Sequence, residues 1–478
     1  MTNQASTRNF TENMNGNGIL TRRIPTPPFG DVKDRHTVWY DEFVKTGGYV
    51  GLKKALDMKP DEVTGMVKDS VLRGRGGAGF PCGLKWTFLP KVDEAHEGDE
   101  QAIGQRYLAI NADESEPATF KDRLLMDFDP HQMLEGIAIC CYACRIGRAF
   151  IYIRGEYGHQ AEVLERAIKE AYDNGIFGGK GLVNGATTGM GKPWKVDCHV
   201  HRGAGAYICG EETALLESLE GKRGYPRIKP PFPAIKGLFG KPTIINNVET
   251  LSHLPTIVEN GVDWFKSQGV ESTIGGPPSH GTKLMGVSGH VAKPDVYELE
   301  LGIPLRMLVE KYCGGMRNGK KFKGAIAGGV SMGVLGTDQY DAEMDFDIGR
   351  KYNVLGLGTA GPTIFDEDTD MVKVARNIAR FFKHESCGQC TPCREGSGWL
   401  YQLMCRIDQG DAYTKDLDLA LEIGTSMGSM PGTTICGLAD GNNWALRTII
   451  NKFRPEFERR VKPTFVPVTM SVGAAARA

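Results

Sequence analysis

Three things are missing from this sequence, and each closes off a class of function. No apolar run approaches the ~20 residues that a membrane-spanning helix needs; the longest, Gly136–Cys144, is less than half of that. Neither sign of charge dominates. The 57 Lys and Arg against 58 Asp and Glu leave a formal net charge of −1, so the basic surplus of a nucleic-acid binder is absent. The amino-terminal stretch lacks the apolar core of a secretory signal. It holds Arg8, Arg22 and Arg23, but Glu12 and Asp31 count against a mitochondrial transit peptide. The chain therefore reads as cytosolic with reduced thiols, and its 12 cysteines point to metal or redox chemistry rather than disulfides.

What is present is an ordinary globular composition, 41% hydrophobic and 24% charged. The length suits about two to four domains at roughly 150 residues each. Residues 1–30 read as a polar N-terminal arm without periodicity. From 31 to 274 strands and helices alternate. Val63, Met66, Val67, Val71 and Leu72 share one side of a helix over Asp61–Leu72. Tyr107–Asn111, Ala149–Ile153 and Val196–Val200 read as strands, with helices over His131–Tyr142, Gln160–Tyr172 and Glu211–Leu219. Such alternation predicts an α/β fold around a mostly parallel sheet. Gly275–Gly281 reads as a linker. A strand over Lys283–Val291, a helix over Leu305–Tyr312 and a strand over Ala325–Met332 then make a small α+β module at 282–335. The pattern is helical over 366–462, and 463–478 read as a loose tail. There is no internal repeat.

The densest chemistry is Cys387-Gly-Gln-Cys390-Thr-Pro-Cys393. This spacing fits a loop wrapped round one compact centre. Zinc sites more often use two separated Cys-x-x-Cys pairs, whereas three close cysteines with a distant fourth form an iron–sulfur pattern. We take Cys436, in the small-residue turn Thr433–Gly437, as the fourth ligand. Cys405 lies among Trp399, Leu400, Leu403, Met404 and Ile407 and reads as core. Amphipathic helices over Met371–Lys383 and Ser397–Ile407 flank the loop. The plainer alternative is a structural zinc or simply buried thiols. Cys140, Cys141 and Cys144 sit on an apolar helix and read as packing, as do Cys82, Cys198, Cys209 and Cys313.

Three glycine runs invite a nucleotide. Gly74–Gly79 matches G-x-G-x-x-G, but a helix rather than a strand precedes it, so the dinucleotide fingerprint fails. The loop still offers backbone N–H groups to a phosphate or a flavin ring, with Lys85 as a nearby cation. Gly356–Gly361 matches too, but Pro362 and the β-prone Thr363–Phe365 follow where a helix should open, so it reads as a decoy. Gly203–Gly210 has a strand before it and a helix after it. That helix opens on Glu211 and Glu212, which suit a ribose hydroxyl and repel a 2′-phosphate, predicting NADH over NADPH. The acids Asp113, Glu114 and Glu116 follow a strand end, where α/β sheets bind ligands; a solvated turn is the plain alternative, a magnesium site is open in principle, and the segment alone does not decide.

Taken together, Arg73–Trp86 (RGRGGAGFPCGLKW), Asn111–Arg123 (NADESEPATFKDR), Gly203–Leu215 (GAGAYICGEETAL), Pro226–Pro233 (PRIKPPFP), Asn246–Thr250 (NNVET) and Glu385–Glu395 (ESCGQCTPCRE) resemble the flavin (NADH-binding) subunit of respiratory complex I, the 51 kDa family of NADH:quinone oxidoreductase. The resemblance spans about 50 to 450 in the same order, with Cys82 where the family's pattern has threonine. It implies an FMN- and NADH-binding α/β domain at 31–274, a β-grasp-like module at 282–335 and a helical bundle with a [4Fe-4S] cluster at 366–462. Gly74, Gly76 and Lys85 would hold FMN, with Asn111, Asp113, Tyr207, Gly210, Glu211, Asn246 and Asn247 around it. Phe80, Phe88 and Phe232 would enclose the NADH adenine, and Glu116, Glu212 and Lys229 would complete the dinucleotide site. Cys387, Cys390, Cys393 and Cys436 would ligate the cluster.

The resemblance also implies the electron-input step of a proton-translocating NADH dehydrogenase. NADH gives two electrons as hydride and an iron–sulfur cluster accepts one at a time, so a flavin has to stand between them. The implied partners are a thioredoxin-like 2Fe-2S subunit and the large iron–sulfur subunit. The chain would lie peripherally on the cytoplasmic side of the inner membrane, or on the matrix side in a eukaryote. The diaphorase subunit of an NAD-dependent hydrogenase or formate dehydrogenase is the alternative with the same chemistry. Such chains often carry extra cysteine motifs at either end, and this sequence has no cysteine before Cys82 or after Cys436. A zinc scaffold without turnover and a stand-alone NADH dehydrogenase are the remaining readings.

Overall fold

Four short strands build the first sheet, three of them carrying small or β-branched apolar residues and the third in chain order mostly polar ones. They are β1 (Tyr107–Ala112), β2 (Arg148–Ile153), β3 (Asp197–Arg202) and β4 (Thr243–Asn247). The computed structural model describes residues 18–27, 30–91, 106–178, 195–270, 274–429 and 432–463. The sheet order is β3-β2-β1-β4 and every pair is parallel, with Asn111 opposite both Tyr152 and Asn247. Leu108, Ala109, Ile110 and Ala112 of the central strand are fully buried, as expected of a parallel sheet covered on both faces. The sequence pattern shows β1 to β3 but no strand over Thr243–Asn247. That run is short and ends in two asparagines, so only its pairing with β1 makes it a strand.

The helix Pro130–Cys144 packs beneath this sheet with all fifteen residues buried. Its start is set locally: the Asp129 side chain accepts from the Gln132 N–H at 3.3 Å, and Pro130 opens the first turn. It stops at Arg145, which takes the left-handed conformation. Cys140, Cys141 and Cys144 lie on it as buried thiols. Burial pushes the Cys140 and Cys141 thiols well above their ordinary range.

A second sheet follows. Gly269–Val270 (β5) and Ser279–His280 (β6) form a small antiparallel pair. Thr282–Gly289 (β7), Asp295–Glu300 (β8), Phe322–Ile326 (β9), Val334–Leu335 (β10) and Thr363–Asp366 (β11) form a mixed sheet in the order β10-β9-β11-β7-β8. Gly275–Gly281 is thus more than a linker. The Arg73 guanidinium donates to the Ser279 hydroxyl at 3.2 Å and to the Pro277 carbonyl at 3.4 Å, tying the stretch down. The strand expected over Ala325–Met332 ends at Ile326, and Val330–Met332 is a tight helical turn. The four longest helices of the carboxyl-terminal part are Met371–Glu385, Thr391–Asp408, Thr414–Gly428 and Leu438–Lys452. They close over Phe382, Leu400, Met404, Leu446 and Ile449. The second of these begins at Thr391, ahead of the Ser397 expected from its apolar spacing, because Pro392 suits its first turn. Residues 464–478, the remainder of the expected tail, lie outside the described residues, as do 1–17 of the expected arm.

The described end of that arm is not loose. Ile19, Leu20 and Ile24 are buried. The Glu298 carboxylate on β8 accepts the N–H groups of Ile19 at 3.0 Å, Leu20 at 3.0 Å and Thr21 at 2.8 Å, and the Thr21 hydroxyl at 2.8 Å. A carboxylate satisfied this fully is why a polar-looking segment packs: buried N–H groups require an acceptor, and one side chain supplies it for three. Glu298→Ala should cost about 2 kcal/mol or more and open a tryptic cut after Arg22 or Arg23. An unchanged tryptic digest would show that the segment is held by other means.

Candidate functional site

A cavity of about 640 Å³ opens at the carboxyl ends of β1 and β4, where open α/β sheets take their ligands. Its floor is Gly76, Gly77 and Ala78, its sides are Asn111, Asp113–Glu116, Tyr207, Ile208, Gly210, Glu211 and Asn247, and its far wall comes from loops of the second sheet. Its size lies within the range of small-molecule sites.

The floor is held from below. Arg73 pairs with Asp347 at 2.6 Å, and the fully buried Arg75 donates to the carbonyls of His280 at 2.7 Å and Arg73 at 3.1 Å. A Cβ on Gly76 would stand 3.0 Å from Asn247 Cβ, and Gly77 sits at φ +136°, a conformation closed to other residues. The chain is therefore bare backbone where a ligand would lie against it. Gly74 is not on the cavity surface; its N–H goes to the Phe80 carbonyl at 2.8 Å. Lys85 stands back as well, with its ammonium donating to the Ile245 carbonyl at 3.1 Å rather than reaching the cavity. Asn246 points the other way along the strand alternation. It is buried beside Cys82, and Asn247 alone of the pair faces the cavity.

The acidic segment after β1 has three different fates. Asn111 donates from Nδ2 to the Gly210 carbonyl at 2.8 Å and accepts from the Asp113 N–H at 3.2 Å, which ties two walls together. Asp113 Oδ1 is buried and meets no hydrogen-bond partner among the described residues, and burial pushes this carboxyl up to about 7. Glu114 accepts the N–H groups of Asp122 at 2.7 Å and Arg123 at 3.0 Å and the Tyr157 hydroxyl at 3.1 Å, so its work is structural. Burial and the neighbouring Asp122 also push it up to about 7. Glu116 accepts from the Ser331 hydroxyl at 2.6 Å and amide at 2.8 Å and from the Tyr207 hydroxyl at 2.5 Å. This joins the first sheet to the second.

Glu211 caps the helix Glu212–Leu219, accepting the N–H groups of Thr213 at 2.8 Å and Ala214 at 2.9 Å. Its other oxygen meets Lys229 at 3.0 Å, and the same ammonium meets Glu212 at 2.6 Å. Phe80 and Phe88 stand together with ring centroids 6.1 Å apart, both largely exposed. Phe232, also exposed, lies on a separate loop. Phe80, Phe88, Glu212, Lys229 and Phe232 do not line the cavity itself.

The sequence pattern does not reveal the far wall. Gly328, Ser331, Met332, Phe346, Leu355, Gly356, Gly358 and Thr359 all face the cavity. Gly356–Gly361 opens no helix, as its sequence predicted, yet it reaches the cavity: a Cβ on Gly328 would meet the Leu357 carbonyl at 1.6 Å, so two backbones pack directly here. The glycine run was the signal; its partner loop was not visible in sequence.

Behind the cavity the four cysteines converge. Cys387, Cys390, Cys393 and Cys436 line one small pocket with Ile208, Ser386, Thr434 and Leu438, while Cys405 does not. Among the described residues no three His, Cys, Asp or Glu side chains stand close enough to hold a single ion. Three close cysteines and a distant fourth round one space match the iron–sulfur pattern. The Ile435 N–H points at Cys390 Sγ at 3.4 Å, and the Ser386 hydroxyl lies 3.3 Å from Cys393 Sγ. Burial pushes the Cys436 thiol up to about 12 and raises Cys393, so both would need a metal to ionise at neutral pH. Ile208, Cys436 and Leu438 line both spaces: one layer of side chains separates cavity from cluster pocket.

The chain is similar to known proteins along most of its length. Residues 67–256 match the Nuo51 FMN-binding domain, 373–460 the NADH-ubiquinone oxidoreductase-F iron-sulfur binding region and 284–335 the SLBB domain. The chain is 46% identical over 438 residues to an NADH-quinone oxidoreductase F subunit (the one numbered 2) of Rhizobium meliloti, covering 91% of this chain and 97% of that one. It is 46% identical over 436 residues to the mitochondrial NADH dehydrogenase [ubiquinone] flavoprotein 1 of Dictyostelium discoideum, covering 91% and 86%. Among solved structures it resembles a chain of an NAD+-reducing [NiFe]-hydrogenase with TM-score 0.74 and 32% identity, over 91% of this chain and 69% of that one.

Proposed function

Because this chain belongs to the family of NADH-quinone oxidoreductase F subunits, we propose that its 640 Å³ cavity holds FMN with NADH laid against it, and that its four cysteines hold the [4Fe-4S] cluster. The activity is NADH oxidation, with electrons passed on singly toward quinone. The observation that carries this reading is the shared wall: Ile208, Cys436 and Leu438 border both spaces, so an electron leaving the first has one side-chain layer to cross.

Bound FMN would supply the link between a two-electron hydride donor and a one-electron acceptor. The chain's own residues bind and orient. Gly76 and Gly77 offer a side-chain-free surface, and Asp113 Oδ1 supplies a buried acceptor that a ribityl hydroxyl would satisfy. Asn111, Tyr207, Gly210, Glu211 and Asn247 complete the walls. Gly74, Lys85 and Asn246 act from behind, as backbone and strand supports. Phe80 and Phe88, with Phe232, offer exposed rings for an adenine. Glu116, Glu212 and Lys229 would meet the rest of the dinucleotide. Lys229 already offsets two carboxylates, so little positive charge remains for a 2′-phosphate.

The chain would work against a thioredoxin-like 2Fe-2S subunit and the large iron–sulfur subunit, on the cytoplasmic face of the inner membrane or on the matrix side in a eukaryote. Among the described residues no helix is long and apolar enough to cross a membrane. The test is the visible spectrum of the anaerobically purified complex. A flavin band over broad iron–sulfur absorbance should bleach with NADH and far less with NADPH. Glu212→Gln should narrow that preference at least about tenfold by removing a like-charge clash. A colourless, zinc-containing protein indifferent to NADH would overturn the reading.

A further inference from the structure

Among the described residues the cavity wall carries six carboxyl side chains, Asp113, Glu114, Glu116, Asp122, Glu211 and Asp440, and no lysine or arginine. A site that gains negative charge when its ligand is reduced is poorly served by such a wall. The compensating cations lie one layer deeper. Lys121, buried, pairs with Asp122 at 2.7 Å and with Glu249 at 2.8 Å, and stands 3.4 Å from the Asn247 carboxamide oxygen. Glu249, also buried, meets Lys283 of β7 at 2.5 Å and accepts the Leu284 N–H at 2.9 Å. The Asn247 carboxamide donates to Asp122 Oδ2 at 2.8 Å. Five side chains thus run from two cavity-wall groups, Asn247 and Asp122, back to an ammonium on the second sheet.

We propose that Lys121, Asp122, Glu249 and Lys283 are positioning residues that fix the Asn247 carboxamide at the cavity wall and set the midpoint potential of the flavin bound there. The inference rests on the cofactor reading above. Reduction by hydride would put one unit of negative charge on the flavin, balanced by the positive charge that leaves on the oxidised nicotinamide. The low dielectric of the interior lets a cation two side chains away act on that charge, where water would screen it. A buried cation favours the charged, reduced state and an added anion opposes it. The network is also laid across the junction of the two sheets, so Lys283 fixes the cavity wall to β7. Packing alone does not require ions here, since apolar residues of similar volume are often as stable.

The test is a redox titration of the flavin in the complete oxidoreductase, with bound FMN counted first. Lys283→Met removes the deepest cation and is expected to shift the midpoint to more negative potential, with Lys283→Arg restoring it. Asp122→Asn keeps shape and removes an anion from the wall, and is expected to shift the midpoint the other way. Opposite shifts with FMN stoichiometry retained would support the proposal, because a purely structural role moves neither or both alike. Unchanged midpoints, or shifts of the same sign, would overturn it while leaving the cofactor reading intact. A wild-type complex without FMN would overturn both. If Lys283→Met does not assemble, Asp122→Asn decides alone by its sign.

Discussion

Cys436→Ala is expected to strip the cluster iron from the chain and bring electron transfer to quinone down to background, while NADH still bleaches the flavin. The thiol lies between the cysteine pocket and the cavity, so its loss would remove the proposed fourth ligand and one of the three residues that divide the two spaces. Electrons would enter and have no next carrier. A soluble one-electron acceptor should still be reduced, since it can take electrons from the flavin directly. Cys405→Ala is the matched control. Cys405 lies outside the cluster pocket, and its loss should leave iron and turnover unchanged. Iron analysis per flavin, beside quinone reduction, decides it. Iron retained in the first variant or lost in the second would mean that the fourth ligand has been misassigned.

The largest stability effect is expected at Glu249. Burial alone would raise this carboxyl, but the ammonium groups of Lys121 and Lys283 and the Arg75 guanidinium outweigh it and hold the group down at about 2. Glu249→Gln would leave the buried Lys121 and Lys283 ammonium groups without the carboxylate they share. Breaking a buried ion network in this way costs ~3–5 kcal/mol. The sign with pH follows from the lowered value. Because the folded-state carboxyl titrates below the ordinary glutamate range, its contribution is complete above that range and fades as pH falls through about 2. The gap between wild type and variant, read as the denaturation midpoint of the holoprotein, should therefore be widest near neutrality and narrow under acid. A gap that stayed constant with pH would show that the variant fails through packing and not through charge.

Some of this molecule is open to reading before any coordinates. The period of the apolar residues marks β1, β2 and β3 and the helices between them within a few residues, because a buried parallel strand and an amphipathic helix leave different spacings. The spacing of Cys387, Cys390 and Cys393 favours an iron–sulfur centre over a structural zinc or buried thiols. Residues read with less success fail for identifiable reasons. Lys85 suggests a ligand contact because it is a cation near a glycine loop, yet its ammonium is held by the Ile245 carbonyl. Asn246 and Asn247 look equivalent in sequence, but strand alternation turns one to the core and the other to the cavity. The arm at 18–27 looks unstructured because its acceptor, Glu298, lies 279 positions along the chain from Ile19.

By itself the sequence determined the chemistry on offer: which thiols cluster, where glycine leaves backbone bare, where acids follow a strand, and the alternation that makes a parallel sheet. Those are local properties, written in short stretches of chain. Only the tertiary structure decided which surfaces meet. It brought Gly356, Gly358, Thr359 and Ser331 over the cavity, set Ile208, Cys436 and Leu438 between the two spaces, and placed Lys283 behind Asp122 and Asn247. Such contacts join residues far apart in the chain, and no local pattern encodes them; they exist because separate elements bury their apolar faces together and carry their polar groups with them.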